Sequence, residues 1–396
     1  MSTDRISRLR NVRPWGGELV DIDIDADGLI AAIRPAASDP ATDDGAEDGR
    51  GLLALPGLVN AHAHVDKSWW GRPWESYGGD RGTDGRIRHE RARREELGIP
   101  GLEGTGNVLA EFVKHGTTAI RTHVDVDLGL GLRGIEVVRE ALDAYGDAIR
   151  AEIIAFPQDG VLRRPGVLEL LVEAAKSGVE HIGGLDPAGI DRDPVGQIDA
   201  ILGIAAEYGT GVDIHLHDPA ELGAFQFDLI LDRTESLGLA PGAVNIAHGF
   251  AIAEVDASRR HDLLARMGGL GVTMTTVAPL RLPQLPLHEL DAAGVRFAFG
   301  TDGIRDLWSP YGTGDLLGIA WQFARASSQV RDEDLLRVVQ LATRDGGAFA
   351  GLPQHDITVG SRADIVLMDA ENPMDALVRT PARQLVLGAG RVLHRA

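Results

Sequence analysis

The chain contains no cysteine. A disulfide framework, a thiol nucleophile and a cysteine-bound metal are therefore excluded. Any metal must rest on histidine and carboxylate. Long apolar runs are missing too: no stretch approaches the ~18 consecutive apolar residues that span a bilayer. The N-terminal stretch Met1-Ser-Thr-Asp-Arg-Ile-Ser-Arg-Leu-Arg lacks the apolar core of a secretory signal. Basic residues are in deficit, with 39 Lys+Arg against 59 Asp+Glu and a formal net charge of −20. A surface this acidic repels phosphate backbones and anionic membranes, so neither nucleic acid nor membrane is an expected partner. The run Arg86–Arg94 is the one basic counterexample, and it reads as a solvated helix or loop face. Together these absences point to a cytoplasmic protein. Hydrophobic residues at 44% and charged residues at 25% exclude disorder across the whole chain.

What is present is glycine, 50 residues of 396. This is well above the ~7% base rate and signals many tight turns and close backbone approaches. Near the start, Glu18-Leu-Val-Asp-Ile-Asp-Ile-Asp alternates apolar and acidic residues as a half-exposed strand does. Asp25-Ala-Asp-Gly28 reads as a turn, Leu29–Ile33 as a second strand and Ser38–Arg50 as a polar loop. Strands of the same kind recur at the end, in Ala363–Asp369, Gln384–Gly388 and Arg391–Leu393. The two ends, residues 1–53 and 355–396, are thus expected to form one small β-sandwich domain around residues 54–354. The middle alternates short apolar runs with amphipathic helices such as Val167–Lys176 and Pro194–Tyr208. The runs are Leu53–Asn60, Thr117–His123, Ile149–Phe156, His181–Asp186, Gly211–His215, Ala243–His248, Gly271–Thr276 and Val295–Asp302. This rhythm predicts an α/β fold, a (β/α)8 TIM barrel.

Barrel enzymes work at the C-terminal ends of their strands, and the polar residues gather there. The first run ends in His62-Ala-His64, the second in Arg121-Thr-His123-Val-Asp125 and the third in Phe156-Pro-Gln158. Asp186, His215-Leu-His217-Asp218, His248 and Thr301-Asp302 end later runs. On a strand, His62 and His64 point to one side and can share a cation. His215 and Asp302 complete a mixed nitrogen and oxygen site that suits one divalent ion, Zn²⁺ ahead of Fe²⁺.

These residues carry a resemblance. Leu55-Pro-Gly-Leu-Val-Asn-Ala-His-Ala-His64, the distant His215 and His248, Phe299-Gly-Thr-Asp302 and Gly360-Ser-Arg-Ala-Asp-Ile-Val-Leu look like the amidohydrolase superfamily. His64-Val-Asp-Lys67, Arg121–Val126, Ala155-Phe-Pro-Gln158, Asp213-Ile-His215 and Trp308-x-Pro310-x-Gly312 resemble its cytosine-deaminase branch, over nearly the whole chain and in matching order. The resemblance implies one metal on His62, His64, His215 and Asp302. The run His181–Asp186 has no lysine to bridge a second metal. It implies metal-assisted hydrolysis of an exocyclic amino or alkylamino group on a pyrimidine, triazine or related heterocycle. Asp302 is then ligand and base, and His248 stabilises developing charge. Opening of a cyclic or acyclic amide is the alternative. Self-association into a homo-oligomer is expected on the resemblance alone.

The chain departs from that branch at the proton shuttle. Where cytosine deaminases place a glutamate three residues after the fifth-run histidine, this chain has Asp218. Asp218-Pro-Ala-Glu221 also reads as a helix capping box. His217 is the rival, and it resembles the His-x-His of N-isopropylammelide amidohydrolases, as do Asp186 and Lys67. Lys67 is a candidate to bond an exocyclic oxygen. Gln158 is a candidate to read a ring N–C=O edge, and Trp308 to cover the ring. His123 and Asp125 read as supports that orient ligands, and Arg121 as an internal strut paired to carboxylates.

Overall fold

The computed structural model describes residues 4–36 and 45–396. Two sheets organise it. The first half of the small sheet comes from the N-terminal segment: β1 (Arg8–Pro14), β2 (Val20–Ile24), β3 (Ile30–Pro35), β4 (Ala46–Asp48) and β5 (Leu53–Pro56). The large sheet follows as β6 (Leu58–His64), β7 (Thr117–Asp125), β8 (Arg150–Phe156), β9 (His181–Leu185), β10 (Gly211–Leu216), β11 (Val244–His248), β12 (Thr273–Thr276), β13 (Phe297–Phe299) and β14 (Asp302–Gly303). The chain then returns to the small sheet with β15 (Ile365–Met368), β16 (Arg383–Gly388) and β17 (Arg391–Arg395).

Every pairing in the large sheet is parallel. Its strands are buried on both faces, which explains their near-continuous apolar sequences. The sheet runs in chain order from β6 to β13, and β14 pairs with β6. Its two ends are therefore joined by the two residues between β13 and β14, and the sheet is curled and TIM-barrel-like. Val295–Asp302 is not one strand, because Gly300 breaks it. A Cβ at Gly300 would lie 2.3 Å from that of His62, so the backbone passes against His62 at this point. Helices Val167–Lys176 and Pro194–Tyr208 form where the periodicity puts them, the second capped by Asp193, which accepts from the Gly196 N–H at 2.9 Å.

The small sheet is mixed, in the order β17-β16-β15-β5-β1-β2-β3, with β4 on β1. Strands from both chain ends share it because β5 pairs with β1 on one side and β15 on the other. Leu53–Asn60 is thus two strands in two sheets. Gly57 separates them, packed where a Cβ would meet Thr118 Oγ1 at 2.0 Å. The polar stretch Ser38–Arg50 is not all loop: residues 38–44 lie outside the described residues, but Ala46–Asp48 pairs with β1. Leu9, Ile22, Ile365 and Leu387 centre a core of the small sheet, separate from the cluster between the large sheet and its helices. Among the described residues no helix is long and apolar enough to cross a membrane.

Candidate active site

The register of the large sheet assembles the site. Pairing of Asp302 with Ala63 sets its carboxylate beside the two histidines of β6. Asp302 Oδ1 lies 3.4 Å from His64 Nε2 and 3.7 Å from His62 Nε2. His215 on β10 brings its Nε2 to 3.3 Å from His64 Nε2. The structure thus brings His62, His64, His215 and Asp302 together. It adds His123, whose ring centre is 4.3 Å from that of His62 and 4.5 Å from that of His215. Donor nitrogens of His62, His64, His123 and His215 lie within 4.8 Å of one another, as do donor atoms of His62, His248 and Asp302.

These groups fit a cation. Both ring nitrogens of His62, Nδ1 of His64 and of His215, and Nε2 of His248 are buried without a hydrogen-bond partner. Each such orphan costs roughly 1–3 kcal/mol unless something satisfies it. Burial pushes the imidazoles of His64, His215 and His248 well below their usual value, and that of His123 down to about 4. The neutral imidazole is the form that offers a lone pair to a metal. Burial works to raise the Asp302 carboxyl, but the surrounding imidazoles, His62 first, hold it well below the usual carboxylate range. The backbone is strained at the same place: His248, Asp302 and Asp186 adopt φ of 67°, 61° and 35°. A left-handed conformation costs a non-glycine residue about 1–3 kcal/mol and persists where surrounding contacts impose it.

A polar floor supports the histidines. Asp213, two residues before His215 on the same face of β10, lies 3.4 Å from His123 Nε2 and accepts from Asn245 Nδ2 at 2.9 Å. Arg121 ties it to Glu152 across distances of 3.4 and 3.0 Å. Burial would raise the Asp213 carboxyl, but His123 and Arg121 pull it far below the ordinary range. At the rim, the His217 ring stacks on His248 at 4.2 Å, and its Nδ1 is 3.0 Å from Asp186 Oδ2. Burial opposes protonation of His217, but the Asp186 carboxylate outweighs it and raises the imidazole pKa. Asp218 does not form the capping box. The helix Ala220–Leu237 starts without a side-chain cap. Glu254 takes the Ala220 N–H at 2.8 Å, and Asp218 instead accepts from Gln226 Nε2 at 2.9 Å and the Gly189 N–H at 3.2 Å.

Comparison with known proteins agrees with this constellation. The pattern of the Amidohydrolase family matches residues 53–392. The chain belongs to the amidohydrolase family. It is similar to the crystal structure of N-isopropylammelide isopropylaminohydrolase from Burkholderia multivorans, with 39% identity, 98% of each chain covered and a TM-score of 0.91. It is also similar to N-isopropylammelide isopropyl amidohydrolase of Pseudomonas sp. (strain ADP), 28% identical over 87% of each chain. The 5-methylcytosine deaminase structure from Klebsiella pneumoniae shares the fold, with 24% identity, 98% of each chain covered and a TM-score of 0.84. The branch of the family read from the motifs is therefore the right one, and the chain is a hydrolytic enzyme of C–N bonds.

Next to the histidines, this amidohydrolase buries a second polar group that brings Lys67, Gln158 and Trp308 together. Lys67 Nζ donates to Asp125 Oδ1 and to Gln158 Oε1, both at 2.7 Å. It stands 5.8 Å from the centre of the Phe156 ring and 5.9 Å from that of Trp308. Phe156 in turn packs on His215 at 4.2 Å, so the two groups share a wall. Sequence reasoning missed Glu90. It lies in α1 (Thr83–Arg93), inside the basic run read as a solvated face, yet Ile87, Glu90 and Arg94 are buried. The correction has a simple cause: carboxylates from distant loops take up the arginines. Arg94 pairs with Asp127 and Arg91 with Asp159, at 2.5 and 2.9 Å.

Proposed function

We propose that this chain is a mononuclear metal-dependent aminohydrolase that removes an exocyclic amino or alkylamino group from a nitrogen heterocycle of the ammelide and cytosine type. One divalent cation, Zn²⁺ ahead of Fe²⁺, would be held by His62, His64, His215 and Asp302. The observation that carries this reading is the convergence of His62 Nε2 and His64 Nε2 on Asp302 Oδ1, with His215 Nε2 3.3 Å from His64 Nε2. When bound, such an ion supplies Lewis acidity and lowers the pKa of water toward ~7.

The chain's own groups do the rest. Asp302, held ionised by its imidazole neighbours, receives the proton of the attacking water. His248 Nε2, buried and unpaired, faces the charge that develops on the attacked centre. His217, fixed through Nδ1 by Asp186, offers Nε2 to carry a proton to the leaving amine. Asp218 is the rival shuttle, but its bonds to Gln226 and Gly189 already give it a structural task. Lys67 has three N–H donors and spends two on Asp125 and Gln158. Its third, with the amide NH₂ of Gln158, makes a donor wall suited to a ring carbonyl edge, and Trp308 covers the ring.

The surrounding fold reads as a (β/α)8 barrel with a small β-sandwich from the two chain ends, the N-terminal share running to Pro56 because β5 pairs there. The acidic surface supports a small-molecule substrate and neither nucleic acid nor membrane as partner. A cytoplasmic location and, on the resemblance alone, a homo-oligomeric state belong to the same proposal. Release of ammonia or isopropylamine from cytosine, N-isopropylammelide and related aminated rings, measured on zinc-reconstituted protein, tests the function. Carboxylate production from cyclic amides without amine release would replace it with amide hydrolysis.

A further inference from the structure

Glu90 is an unusual residue to bury. It is 4% exposed on a helix that otherwise carries arginines, and it lies next to the substrate wall proposed above. An ionised carboxylate out of water needs partners. Its Oε2 accepts the indole Nε1–H of Trp308, and its Oε1 is 3.8 Å from Lys67 Nζ. Lys67 is already satisfied by Asp125 at 2.7 Å, so it does not require a second carboxylate. Glu90 also meets the Asp125 carboxyl, and the donor it takes up is the indole N–H of Trp308.

The route by which Glu90 arrives matters. Helix α1 is poor in apolar residues. Ile87 alone joins an apolar cluster, with Phe156, Leu185 and Ile190 and with Trp308 packed against it. Ion pairs to the loops after β7 and β8 hold the rest of the helix. One turn of α1 thus places Ile87 in the apolar cluster that Trp308 packs against and Glu90 on the indole N–H. The cluster and the hydrogen bond hold the indole from two sides.

We infer that Glu90 is a positioning residue of the substrate pocket, which α1 delivers to lock the indole of Trp308 over the space between Lys67, Gln158 and the histidine cluster. It does not touch the reacting atoms. Its effect belongs to binding and to the choice among rings, and it acts through Trp308. The inference rests on the proposed reading of the pocket, yet its geometric part is testable apart from it.

The experiment uses zinc-loaded protein with Glu90→Met, which keeps the volume, and Glu90→Gln, which keeps an oxygen acceptor for the indole. Each is made with and without Trp308→Phe. Glu90→Met is expected to raise KM for the best ring of the panel about tenfold, the scale of one hydrogen bond to a charged group, with kcat within about twofold. Glu90→Gln should recover at least half of that loss. In the Trp308→Phe background, Glu90→Met should cost less than threefold more, because one contact cannot be lost twice. Equal KM in wild type and Glu90→Met, or fully multiplicative effects, overturns the inference. Trp308→Phe leaves α1 intact, so a wild-type KM in that variant overturns it even if Glu90→Met does not fold. If wild type turns over no ring, the functional reading fails while this one is still decided. The emission of Trp308, taken as the difference from the Trp308→Phe partner, must then shift in Glu90→Met and not in Glu90→Gln. An unshifted emission contradicts it.

Discussion

His62 and His64 sit one residue apart on a strand whose every residue is buried, so neither ring can turn to water for a partner. Replacing either with alanine should remove a ligand and most of the bound zinc. Elemental analysis is the check, and stoichiometric zinc in the double variant would remove both from the metal site. His248 belongs to a different test. His248→Ala is expected to lower kcat by ~10²–10³-fold, the scale of a lost oxyanion contact, with zinc retained. Zinc falling in parallel would make it a ligand instead. At the rim, His217→Gln should lose ~10²-fold or more in kcat, as removal of a general acid does. Asp218→Asn keeps an oxygen for the Gln226 amide and should stay within a few-fold. A dead Asp218→Asn beside an active His217→Gln would reverse the two roles.

At the scale of elements, what could be read from the sequence followed periodicity. Period two on β6, β7 and β10 puts His62 with His64, Arg121 with His123 and Asp125, and Asp213 with His215, each set on one face. What stayed hidden depends on partners far away in the chain. Nothing local in Arg86–Arg94 says that Asp127 and Asp159 wait for its arginines, so α1 looked solvated. The approach of His123 to His62 could not be read, because it is set by strand order and not by spacing. The break at Gly57 depends on Thr118. The Arg94–Asp127 pair makes a prediction at this scale. Both side chains are buried, so Arg94→Met leaves the Asp127 carboxylate with only the Gly129 and Leu130 N–H groups and should cost about 3 kcal/mol, read from the denaturation midpoint. Burial works to raise the Asp127 carboxyl, but Arg94 outweighs it and lowers the pKa. The stabilisation is therefore present above the ordinary carboxylate value and is lost as pH falls through the lowered one. The gap between wild type and variant should narrow in acid, and a gap independent of pH would contradict this.

Across the whole molecule, the two chain ends are locked together through β5, which is hydrogen-bonded to β1 and β15 at once and continues through Gly57 into β6. The strand that carries the two histidines is thus anchored in the small sheet. Deleting residues 360–396 removes β15, β16 and β17 and bares the edge of β5, so the truncated chain should aggregate; size-exclusion chromatography decides, and a soluble, active truncation would show the tail to be dispensable. The overall plan, strands from both ends around a curled parallel sheet, could be read from composition and rhythm. The pairing partners could not, because β5 and β6 are one apolar run in the sequence. The claim that joins all scales is one cation, held by side chains from β6, β10 and β14, that enables hydrolysis of an amine from a ring. Titrating zinc into metal-stripped protein while following amine release tests it most directly: the account predicts no release without zinc and a plateau at one equivalent per chain, whereas release from the stripped protein, or a plateau at two equivalents, would contradict it.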